Sequence, residues 1–106
     1  MSIIQERIVL ALEAIQSAFG TEAGVDSVDL FVEHHSEELP NTYWVEHLSL
    51  ENPTPSKILS LLVLRDSWGE GDIENFDFTL PGDVTDYVVS VHFDAAGKID
   101  GISMES

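Results

Sequence analysis

At 106 residues, with 43% apolar and 23% charged side chains, the chain has room for one domain with one hydrophobic core, and its composition excludes wholesale disorder. Twenty Asp and Glu face only four Lys and Arg, a formal charge of −16 that disfavours nucleic-acid phosphates and anionic membranes as ligands. The absence of cysteine excludes disulfides, thiolate metal sites and Cys nucleophiles.

Residues 3–19 predict an amphipathic helix, because Ile4, Ile8, Ala11, Leu12, Ile15, Ala18 and Phe19 recur at three- and four-residue spacing. Gly20 stands where a helix C-cap is wanted. Glu6 and Glu13 interrupt any apolar run here, so no signal peptide is expected and the cytoplasm is the expected location. Residues 26–39 fit either a helix, through Val28, Phe31, Val32, His35 and Leu39, or an alternating strand, through Val28, Leu30, Val32 and His34. Helix is favoured, since Asp26 or Ser27 can cap it and Ser36-Glu37-Glu38 has little strand propensity. Pro40 stops it, and Asn41 can cap a short helix over 42–48 that buries Tyr43, Trp44 and Leu48.

Thr54-Pro55 is a further start signal, an N-cap followed by proline at the first helical position. Ile58, Leu59, Leu61, Leu62, Leu64 and Trp68 then predict a central helix ending at Gly69, with Trp68 as a core anchor. The run Leu61–Leu64 is far short of the ~20 residues of a membrane span. Beyond the polar stretch 69–75, residues 76–80 and 87–93 alternate with period two, separated by Pro81-Gly82. Asp94-Ala-Ala-Gly97 suits a type I turn with a left-handed glycine before a third strand over 98–104. Helices first and strands second imply an α+β domain: N-terminal helices packed on one face of a three-stranded antiparallel β-meander. An exposed edge at 101–104 could pair with a symmetry mate or a partner strand, or be blunted by Asp100 and Glu105, leaving monomer and homodimer both open.

Two groups of side chains could carry chemistry. His34 and Glu38 lie one helical turn apart beside His35, a spacing compatible with zinc, or with a small hydrolase if an acidic neighbour converges on them. The alternative is a half-buried His35 with His34 and Glu38 solvated. The acid-rich stretch from Asp66 to Asp86 could attract Ca²⁺ or Mg²⁺, but Gly69-Glu-Gly-Asp-Ile-Glu-Asn75 lacks the register of an EF-hand loop. Within it Glu70, Asp72, Glu74, Asp83 and Asp86 suit a recognition patch for Lys and Arg on a partner. No phosphate-binding glycine motif, catalytic triad or cofactor motif is present, so no catalytic residue, metal ligand or cofactor is assigned.

The run Phe76-Asp-Phe-Thr-Leu-Pro-Gly-Asp-Val-Thr-Asp-Tyr87, Val88–Asp94 and the ending Gly101-Ile-Ser-Met-Glu-Ser106 resemble a family of small acidic bacterial proteins known as a domain of unknown function. Leu30–Pro40, Tyr43-Trp44 and Leu61–Trp68 are similar to its earlier segments. The resemblance implies a bacterial source and a stand-alone domain, and brings no activity, cofactor or catalytic residue with it. By analogy, families of this style often include toxin-neutralising immunity proteins. The expected function is a non-enzymatic, acidic protein-binding module of the immunity or regulatory kind, docking a basic partner. The alternatives are a small hydrolase, a divalent-cation binder or a nucleic-acid mimic.

Overall fold

The computed structural model describes residues 2–106, the side chain of Asp72 excepted. In chain order the elements are α1 (Ile3–Ala18), α2 (Val28–Glu38), α3 (Asn41–Leu48), α4 (Pro55–Leu59), β1 (Val63–Trp68), β2 (Asn75–Thr79), β3 (Val88–Phe93) and β4 (Ile99–Glu105). Short 3₁₀ turns occupy Glu22–Gly24 and Glu70–Asp72. The sheet is an antiparallel meander of four strands, in the order β1-β2-β3-β4.

Helix α1 begins on a reciprocal cap: the Gln5 N–H donates to Ser2 Oγ (3.2 Å) and the Ser2 N–H to Gln5 Oε1 (3.5 Å). Its buried stripe is Ala11, Ile15 and Ala18. Gly20 follows in the left-handed conformation (φ +79°), and its N–H donates to Asp29 in the first turn of α2 (2.9 Å). Segment 26–39 is helical at its centre, with Val28, Phe31, Val32 and His35 buried on one face while Leu30 is exposed. Ser27 stands at the N-cap but makes no capping bond; its buried hydroxyl has no protein partner. Asn41 is likewise the first residue of α3, with Pro40 at the cap position.

The largest correction concerns residues 54–69. Thr54 does cap, accepting from the Lys57 N–H (3.4 Å), and Pro55 does start the helix, but α4 ends at Leu59. Tight bonds from Leu61 N–H to Ile58 O (3.1 Å) and from Leu62 N–H to Leu59 O (3.2 Å) turn the chain out of the helix. Val63–Trp68 then pairs with β2, from Val63 opposite Thr79 to Trp68 opposite Asn75. The meander therefore has four strands, not three. A run apolar on all sides carries no period to separate helix from strand, and a ladder to β2 supplies the backbone partners. Ile58, Leu59 and Leu62 enter the core; Leu64 and Trp68 do not, and Trp68 is 49% exposed.

One sheet face carries Phe76, Phe78, Val89, Val91 and Phe93, which join Ile15, Phe31, Trp44 and Ile58 in a single core. Helix α2 packs against β3 and β4. The opposite face presents Asp66 and Trp68 of β1, Asn75, Asp77 and Thr79 of β2, Val88 and His92 of β3, and Glu105 of β4, by cross-strand register. Val88 is buried yet stands outside the helical core, as this geometry requires. We call this second face the outer face.

Candidate functional site

The histidine cluster is structural in its construction. His35 is buried, and both ring nitrogens are engaged: Nδ1 with the Phe31 carbonyl (2.7 Å) and Nε2 with Thr85 Oγ1 (2.8 Å). A carbonyl only accepts, so Nδ1 carries the proton and, in the neutral ring, Nε2 accepts from the Thr85 hydroxyl. Burial lowers the His35 pKa below its ordinary value; the Phe31 bond opposes this and neighbouring His34 adds to it. His34 is half-buried, edge-on to both His35 and Tyr87 (centroids 4.9 Å in each case), while Glu38 is exposed. No nitrogen of His35 is left to ligate a metal. Among the described residues, no three His, Asp or Glu side chains are grouped to hold one.

Two concavities lie at opposite ends of the sheet. The first, about 450 Å³, is bounded by Arg7, Glu70, Ile73, Glu74, His92 and Phe93, where the β1–β2 and β3–β4 connections meet α1. Arg7 Nη1 donates to the Ile73 carbonyl (2.5 Å), and its guanidinium lies 5.0 Å from the Phe93 ring centroid. Glu74 accepts from the Glu70 N–H (2.6 Å) and crowds Gly69, where a Cβ would lie 2.6 Å from that of Glu74. Gly69 also has φ +98°, so the loop needs glycine there. Glu74 thus shapes the loop. Beside it, His92 Nδ1 pairs with the Asp100 carboxylate.

The second concavity, about 610 Å³, lies on the outer face toward the β2–β3 connection, lined by Arg65, Asp66, Asp77, Asp86, Val88 and Glu105. Four acidic residues and one Arg line it, and Arg65 Nη1 donates to the Asp86 backbone carbonyl (3.4 Å). Among the described residues, no carboxylate lies within salt-bridge distance of Arg65. Asp77 accepts from the Trp68 indole N–H through Oδ2 (3.3 Å), while its buried Oδ1 has no protein partner. Trp68 thus lies half-exposed at the side of an acidic hollow.

The sequence-derived patch divides between these two ends. Glu70 and Glu74 belong to the first concavity, Asp86 to the second, and exposed Asp83 to the β2–β3 connection, where its φ is +53°. Asp72's side chain lies outside the described residues. Reading the patch along the chain overlooked the grouping of Asp66, Asp77 and Glu105 with Asp86 and Trp68. One signal for it was present: Asp77 alternates with Phe76 and Phe78, so it must point away from them.

No helix is long and apolar enough to cross a membrane among the described residues. Comparison with protein-family models, with curated proteins and with solved structures yields no match.

Proposed function

We propose that this protein is a non-enzymatic binding module that docks a basic protein on the outer face of its sheet. The observation that carries this reading is Trp68, half-exposed and bonded to Asp77, beside a hollow with four carboxylates and one Arg. Tryptophan at a surface supplies apolar area and a donor at small entropic cost, and is enriched where binding energy concentrates. The surrounding carboxylates add long-range attraction: at −16 overall, the field of the molecule steers cations toward it. Neutralising or regulating a basic protein is the role such a surface would serve.

Capture from a bacterial lysate with tagged protein tests this reading. A basic partner should be retained at low salt, released at high salt, and lost from the variant Asp66→Asn/Asp86→Asn/Glu105→Gln. It should be retained by Glu70→Gln/Asp83→Asn, which leaves the outer hollow intact. Retention by the first variant and loss from the second would contradict the placement of the site.

A further inference from the structure

The two edges of the sheet are built differently. On β1 the ladder is interrupted between Leu64 and Asp66, and Asp66 accepts from the Ser67 N–H (2.9 Å). Bulges and charged side chains of this kind blunt a strand edge. On β4 the irregularity is confined to Asp100, skipped where His92 faces Gly101 and Phe93 faces Ile99. From Gly101 to Glu105 the register with β3 is unbroken; the segment contains neither Pro nor Lys, and its one charge, Glu105, stands at its end.

Gly101 makes this edge more specific. Its φ is not positive, and a Cβ there would meet nothing within 4 Å. Neither backbone conformation nor internal packing requires glycine, although glycine within a strand costs roughly 0.5–1 kcal/mol relative to alanine. Glycine inside a strand often marks the close approach of another backbone. On the core side of the same stretch, Ile102 and Met104 are only partly buried at the margin of the core. On the other side, Glu105 reaches the outer hollow.

The geometry points to Gly101–Glu105 as the edge on which the basic partner adds an extended segment as a fifth strand. This rests on the docking reading above and names its mode. Alternate residues of an added strand would face opposite sides of the sheet. Apolar ones would cover Ile102 and Met104, while Lys or Arg would lie on the side of Glu105. Charge selects this occupant over a second copy of the chain, which would bring −16 against −16.

The probes are a blocked heptapeptide alternating lysine and valine, and its backbone N-methylated counterpart of equal charge. Calorimetry at low salt should give binding at least about ten-fold weaker for the methylated peptide, since it cannot donate to the edge. Hydrogen exchange at the Gly101–Glu105 amides should slow only with the unmethylated one. Equal affinity for both peptides, without slowing at these amides, would overturn the edge site and leave acidic docking standing. Binding of neither peptide would contradict both.

Discussion

Thr85→Val is nearly isosteric and removes one hydroxyl, the donor to His35 Nε2 (2.8 Å) and the acceptor of the Tyr87 N–H (3.2 Å). The Phe31 carbonyl holds the His35 proton on Nδ1, so the variant leaves a buried acceptor with no partner. An unsatisfied buried group costs about 1–3 kcal/mol. At about 2 kcal/mol, a domain of this size should lose on the order of 10 °C in Tm. Thermal unfolding followed by circular dichroism at pH 8 measures this. The same site sets an acid limb. Because the folded-state pKa of His35 lies below its unfolded value of about 6.5, the unfolded chain binds the proton first on acidification. The His35 contribution is therefore complete above that value and is lost as pH falls through the folded-state pKa. His35→Leu should flatten this limb relative to wild type, in a difference that cancels the relief of carboxylate repulsion common to both proteins. A Thr85→Val Tm within 2 °C of wild type, or an unchanged acid limb in His35→Leu, would refute the assignment.

Three further outcomes follow from particular contacts. The Tyr43 hydroxyl donates to the Pro81 carbonyl (2.7 Å), and burial, with Glu46 adding to it, pushes its pKa up to about 12. Its contribution of roughly 2 kcal/mol should be complete below pH 10 and lost as pH rises through 12; Tyr43→Phe should abolish that alkaline loss, and ultraviolet titration of Tyr87→Phe should place the remaining phenol near 12. Trp68 should be open to acrylamide quenching and Trp44, 2% exposed, shielded from it, so Trp68→Phe should remove most of the quenchable fluorescence. Gly24→Ala should lower Tm markedly, because a Cβ there would lie 2.2 Å from the Ala18 carbonyl oxygen, whereas Gly101→Ala should leave Tm unchanged or raise it.

The sequence revealed those elements whose periodicity was unambiguous. The stripe through Ala11 and Ile15, the alternation Phe76-Asp77-Phe78 and the Asp94–Gly97 turn all lie where their patterns place them; in the turn, Gly97 has φ +81° and donates to the Asp94 carbonyl (3.0 Å). It failed at Ile58–Trp68, where the apolar run 58–64, broken only at Ser60, hid a change of period and a real start signal at Thr54-Pro55 lent the helix too much length. That one error concealed the rest of the site. As a helical core residue Trp68 has no access to solvent; on β1 it joins Asp66 on the face shared with Asp77. Glu105 was equally out of reach, since only strand pairing across β2 and β3 brings it to the hollow of Asp66 and Asp86.

The central claim is that cations dock on the outer face beside Trp68, and amide and indole NMR shifts during titration with a tetralysine peptide test it most directly. The account predicts saturable shifts at the Trp68 indole, Asp66, Asp77, Asp86 and Glu105 that vanish at high salt. Shifts of equal size at Glu70, Glu74 and Asp83, or none at Trp68, would contradict it.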